Sequence, residues 1–69
     1  MMTLKVARVQ AGLSQEEAAK AIGVSAATLR EYEHGRSFPT VPTLKRIEQA
    51  YAVRYDDLIF LDSEPIKSV

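Results

Sequence analysis

The stretch Ser14-Gln15-Glu16-Glu17-Ala18-Ala19-Lys20-Ala21-Ile22-Gly23-Val24-Ser25-Ala26-Ala27-Thr28-Leu29-Arg30-Glu31-Tyr32-Glu33-His34-Gly35 decides the fold of this chain. Ser14 followed three residues later by Glu17 is a capping box: the hydroxyl accepts the Glu17 amide hydrogen, and the Glu17 carboxylate reaches back to the Ser14 amide. Glu16 and Glu17 also put negative charge at the positive end of the helix dipole. Leu13 and Ala18 fall at the two hydrophobic-staple positions around this start. The helix so opened is expected to run to Ile22, where Gly23 supplies the left-handed residue past its end. Ser25 is at once a new N-cap, with Val24 and Leu29 as its staple pair. A second helix is expected from there to about Glu33 or His34, ended by Gly35. Where two helices cross this closely the first must carry a small side chain, and Ala19 provides it. The turn between them needs a residue tolerant of positive φ, and Gly23 provides that. Buried Ile22, Val24, Leu29 and Tyr32 would hold the angle. The arrangement is a helix-turn-helix.

Working outward, Thr3 can cap a helix to about Ala11, with Gly12 stopping it. After the loop Arg36-Ser37-Phe38-Pro39, Thr40 can cap another helix with Pro42 in its first turn, where a missing N–H costs little. Val41, Leu44, Ile47, Ala50 and Tyr51 then recur at three- and four-residue spacing as an apolar stripe. A short fifth helix is expected around Tyr55–Phe60, with Leu58 and Leu61 inward, before Ser63-Glu64-Pro65 breaks it. Val6, Val9, Val24, Val41 and Val53 are scattered rather than alternating, so no strand is expected. The expected fold is all-α: a compact bundle of five helices over residues 1–62 and a short tail over residues 63–69.

Composition narrows the function. With 69 residues the chain is one small domain, which buries only about 60% of the surface its unfolded form exposes. It has no cysteine and one histidine, His34, so disulfides, thiolate metal sites and histidine-based metal sites are not expected. His34 is read as a partner of the helix dipole at a C-terminus rather than a ligand. No apolar run approaches the ~18 residues of a membrane span, and the first residues lack a signal peptide's apolar core, so a cytoplasmic location without a membrane partner is expected. No nucleophile–base constellation, glycine-rich phosphate loop or carboxylate pair points to an enzyme, and no cofactor is expected. The nine basic and nine acidic residues cancel, yet they are unevenly placed. Lys5, Arg8, Lys20, Arg30, Arg36, Lys45, Arg46 and Arg54 outweigh Glu16, Glu17, Glu31, Glu33 and Glu48. Asp56, Asp57, Asp62 and Glu64 then outweigh Lys67. A mildly basic body carries an acidic end.

Taken together, Ala11-Gly12-Leu13-Ser14-Gln15-Glu16-Glu17, Ala19, Ile22-Gly23-Val24-Ser25, Leu29, Tyr32-Glu33, Gly35-Arg36, Pro39 and Leu44-Lys45-Arg46-Ile47 resemble the lambda-repressor-like Cro/CI (XRE) DNA-binding domains, over about residues 4–61. The resemblance implies a five-helix domain whose helix opened by Ser25 lies in the major groove of double-stranded DNA, usually as a homodimer on a two-fold operator. On that footing Gln15 would bond a phosphate from a helix N-terminus, and Ser25 and Arg36 would also contact the backbone, with Lys45 a further candidate. Ala26, Ala27, Thr28 and Glu31 would face base edges. Alanines can touch only apolar groups such as thymine methyls, Thr28 can add a hydrogen bond, and Glu31 could accept from a cytosine amino group. Arg30 could reach a base or the backbone. Glu31 could instead hold Arg30 or Lys20, or discriminate against wrong sequences. Arg8 and Glu33 would form the structural ion pair that this family often buries.

Four kinds of position depart from the family pattern. Ala18 replaces a larger aliphatic residue, Ala52 a helix-ending glycine, and Arg54 a small polar cap. Val6 and Val9 stand where polar residues are usual. Ile59 and Phe60 offer more apolar surface than a short helix hides, and a homodimer through them is expected. Ile66 and Val69 are expected to pack on helix 1. The expected function is a sequence-specific transcriptional regulator of the prophage or mobile-element repressor type, acting by occlusion. The alternatives are an antitoxin that binds a toxin through the C-terminal tail, and a protein-interaction module that has lost DNA binding.

Overall fold

In the computed structural model, residues 1–60 are described. Their four α-helices begin where the caps require: α1 (Leu4–Gln10), α2 (Gln15–Ile22), α3 (Ala26–His34) and α4 (Val41–Tyr51). Thr3, Ser14 and Ser25 each accept, through the side chain, an amide hydrogen three residues on, and the Ser14–Glu17 capping box is complete in both directions. Thr40 precedes α4 but makes no such cap bond. Its hydroxyl donates to Thr43 Oγ1 at 3.2 Å instead.

All four helices end in the same way. The residue after α2, α3 and α4 takes a left-handed conformation (Gly23, Gly35 and Ala52), and past α1 the second residue does so, Gly12, after a right-handed Ala11. The amide beyond it returns to a carbonyl five residues back, as Leu13 to Arg8, Val24 to Ala19, Arg36 to Glu31 and Val53 to Glu48. This is the 6→1 bond of the Schellman motif, which brings the side chains of its two end residues together. Ala52, with φ 56°, is the one non-glycine at positive φ among the described residues, a conformation that costs alanine roughly 1 kcal/mol. Three strong glycine stops and one strained alanine stop set the loop geometry.

The fifth helix is not formed. A 3₁₀ turn over Tyr55–Asp57 is followed by an extended pair, β2 (Leu58–Ile59), which runs parallel to β1 (Met2–Thr3) in a two-stranded sheet. Both the fifth helix and the expected lack of strands are therefore corrected. The physical reason is competition for the backbone. Arg54 supplies no side-chain cap, and Glu48 on α4 captures the Tyr55 amide at 2.7 Å. The chain is then best satisfied by pairing Leu58 with Met2 and Ile59 with Thr3. The extended run still buries Leu58 in the core, which a helix would also have done. The boundary at residue 62 and the packing expected for Ile66 and Val69 lie outside the described residues.

The core gathers Leu4, Ala7, Ala18, Ala19, Ile22, Leu29, Ile47, Tyr51 and Leu58. α2 sits at its centre, packed on α3 and α4. Ala18 is fully enclosed, so the small residue is matched by close packing around it. The Tyr51 hydroxyl is buried with no hydrogen-bond partner among the described residues. Burial pushes its pKa up to about 12, with the Glu33 carboxylate adding to the rise and Arg8 opposing it. Among the described residues no helix is long and apolar enough to cross a membrane, and no cluster of three His, Asp or Glu side chains could hold a metal ion.

Candidate nucleic-acid interface

The turn between α2 and α3 is built from small and apolar residues. Ala19, Ile22 and Leu29 are buried, with Val24 and Tyr32 half-buried against them. Gly23 adopts φ 80°, and a Cβ there would lie 3.6 Å from Arg46 Nε. That guanidinium donates through Nε to the Ile22 carbonyl at 3.0 Å. α4 thus ties down an unpaired carbonyl at the end of α2, next to the turn. With its inner face held by Leu29, α3 is fixed against α2 and can present its other face outward.

On that outer face the first residues of α3 differ in exposure. Ala27 and Arg30 are exposed, while Ala26 and Thr28 are half-buried, and Ala26 packs against the core. Ala26 is therefore less open than Ala27. Ser25 and Thr28 are locked together. Ser25 Oγ accepts the Thr28 amide hydrogen at 3.0 Å and donates its own proton to Thr28 Oγ1 at 2.9 Å. Each hydroxyl has a single proton to give, so this contact uses one of the two and leaves one hydroxyl proton of the Ser25–Thr28 pair for an outside acceptor.

Glu31 lies one turn beyond Thr28, on the same face. Its carboxylate accepts from Arg36 Nη1 at 3.4 Å, and both side chains remain largely in solvent. Glu31 thus meets Arg36 rather than Arg30 or Lys20. The cause is the Schellman bond from Arg36 N to Glu31 O at 3.0 Å. The left-handed residue at Gly35, already visible in the sequence, implied this adjacency. Lys45 is exposed on α4. It borders, with Val41, Leu44, Glu48 and Tyr55, an open groove of about 370 Å³.

At the start of α2 the arrangement is less free. Gln15 Nε2 donates to Glu33 Oε1 at 3.0 Å. Glu33 also accepts from Arg8 Nε at 2.7 Å and Arg8 Nη2 at 3.4 Å, and Arg8 Nη1 donates to the Leu13 carbonyl at 2.9 Å. One amide hydrogen of Gln15 is thereby committed inside the protein. Its second N–H and its carbonyl oxygen remain for an outside partner. Nothing in residue spacing signalled this bond, because Gln15 and Glu33 meet only through the packing of α2 on α3.

Ile59 is 42% exposed. Phe60 is half-buried and stacks against Phe38 and Tyr55, with ring centroids 6.2 and 6.0 Å away. The aromatic neighbours of Phe60 come from the loop before α4 and from the 3₁₀ turn, a grouping that the expected fifth helix did not suggest.

Comparison with known proteins agrees with this geometry. A helix-turn-helix family profile matches residues 4–58. The chain is also similar to an uncharacterized HTH-type transcriptional regulator of Archaeoglobus fulgidus, at 32% identity over 59 residues, covering 86% of this chain and 84% of the relative. With a fixed two-helix motif, an outward third helix and a match spanning nearly all of the helical body, the chain belongs to the XRE-type helix-turn-helix family.

Proposed function

We propose that the protein is a sequence-specific DNA-binding transcriptional regulator, a repressor that occludes a two-fold operator as a homodimer with α3 in the major groove. The observation that carries this reading is the split character of α3. Leu29 is fully enclosed against α2 while Ala27 and Arg30 stand in solvent, with the Ser25–Thr28 hydroxyl pair beside them. A helix clamped on one side and open on the other can enter a groove without the domain rearranging. Thr28, Glu31, Arg30 and the methyls of Ala26 and Ala27 would meet base edges. Gln15, Ser25, Arg36 and Lys45 would meet phosphates, Gln15 through its second amide hydrogen. Exposed Ile59, with Phe60 and the groove beside Tyr55, supplies apolar area for the second copy.

The roles separate experimentally. Thr28→Ala is expected to relax preference at one base pair by about 1–3 kcal/mol. Gln15→Ala is expected to weaken binding to all sequences alike. Binding to duplexes selected from a random pool and to random duplexes measures both, and equal effects of both changes on both substrates would overturn the assignment. Absence of any salt-dependent duplex binding would favour a protein-interaction module instead.

A further inference from the structure

The peptide plane that joins Ile22 to Gly23 is the joint between α2 and α3, and it is held from both sides. Its N–H, that of Gly23, donates back to the Lys20 carbonyl at 3.3 Å. Its C=O, that of Ile22, lies at the end of α2, where carbonyls have no partner within their own helix. Arg46 of α4 donates to it through Nε at 3.0 Å. Arg46 is exposed, and among the described residues it forms no ion pair. Its bond to the joint is therefore the use that the fold makes of this side chain. Glycine offers the least backbone resistance to turning, so at Gly23 bonds to the neighbouring plane bear directly on the angle between the two helices.

We infer that Arg46 is a positioning residue for DNA recognition: its Nε–H holds the α2–α3 turn so that the base-facing start of α3 keeps its setting relative to the phosphate-facing start of α2. This rests on the DNA-binding reading above. On that reading Gln15 engages a phosphate from α2 while Ala27 and Thr28 engage base edges from α3. Both sets of contacts are made together only if the angle between the helices is kept, to within about 10–20°. Phosphate contacts carry no sequence information, whereas base contacts do. A loosened turn therefore costs the correct sequence more than a random one, and Arg46 raises discrimination without itself touching a base.

Two substitutions separate the bond from the charge. Arg46→Gln places an amide nitrogen at the same number of bonds from the backbone as Nε, so it keeps the donor and removes the charge. Arg46→Met removes both. The side chain is exposed, so neither change leaves a buried gap. The probes are a duplex selected from a random pool and a random-sequence duplex, and affinities are measured well below the melting midpoint of each variant, with circular dichroism verifying the helical fold. Arg46→Met is expected to lower the selected-to-random affinity ratio about tenfold, the worth of one base-edge contact. Arg46→Gln is expected to keep the ratio close to that of wild type. A role in stability alone would lower the folded fraction, which weakens binding to both duplexes alike and leaves the ratio unmoved. An Arg46→Met protein with the wild-type ratio therefore overturns the positioning role. Equal loss of the ratio in both variants overturns it too, because the charge rather than the Nε bond would then be what matters. A wild-type protein that binds neither duplex, or both equally, overturns the sequence-specific DNA-binding reading itself.

Discussion

Helix α3 carries two glutamates two positions apart, and each is paired with an arginine. Glu33 points inward to Arg8 at 2.7 Å, with the two side chains only 4% and 10% exposed. Glu31 points outward to Arg36 at 3.4 Å, with exposures of 44% and 61%. The chemistry is the same and the consequences are opposite. The buried pair has lost its water, so each charge depends on its partner and on Gln15 and the Leu13 carbonyl for compensation. The exposed pair can trade its partner for water or another ion at small cost. Burial makes the first pair an anchor joining α1, α2 and α3, and exposure leaves the second able to exchange.

The largest expected effect breaks the anchor. Arg8→Ala should destabilise the fold by about 3–5 kcal/mol, since Glu33 would remain buried with only Gln15 to bond it. Replacing both partners by apolar residues of similar size, Arg8→Met with Glu33→Leu, should recover most of that loss. Thermal and chemical denaturation measure both, and an unchanged midpoint for Arg8→Ala would place the pair in solvent.

The next effect concerns the neighbour of that anchor. The Tyr51 hydroxyl has a folded-state pKa of about 12 against 10.0 for the free side chain. Its neutral form is the one favoured by folding, so its contribution is complete below pH 10 and is lost as pH rises through 12. At ~1.4 kcal/mol for each pKa unit, wild-type protein should lose roughly 2–3 kcal/mol over that range through this group. Tyr51→Phe removes that component, and at pH 7 it should be as stable as wild type or more so, because the hydroxyl has no partner to lose. Denaturation between pH 8 and pH 12 provides the check, and identical alkaline losses in the two proteins would place the hydroxyl in contact with water.

The smallest expected effect sharpens the contrast. Glu31→Gln should change folding stability by no more than about 0.5 kcal/mol. A loss of several kcal/mol on urea denaturation would make the outer pair structural as well.

Much of this molecule could be read locally. The caps at Thr3, Ser14 and Ser25 and the glycine stops act within a few residues, so the sequence alone determined four helices, their ends and the tight α2–α3 turn. Ala52, at a position where the family has glycine, left open a left-handed alanine or a different helix end, and the fold takes the left-handed one. The Arg36–Glu31 adjacency was also local, implied by Gly35, although the charges of Arg30 and Lys20 drew the reading elsewhere. What only the tertiary structure decided lies between distant segments. Pairing Leu58 with Met2 replaced a fifth helix with a strand, because the free backbone of the N-terminus offered hydrogen bonds that no local pattern revealed. The turn of Gln15 toward Glu33 and the reach of Arg46 to the Ile22 carbonyl arise in the same way. Caps and stops depend on groups that the chain keeps close whatever its fold, whereas these bonds exist only once packing has brought separate helices within 3 Å or so of one another.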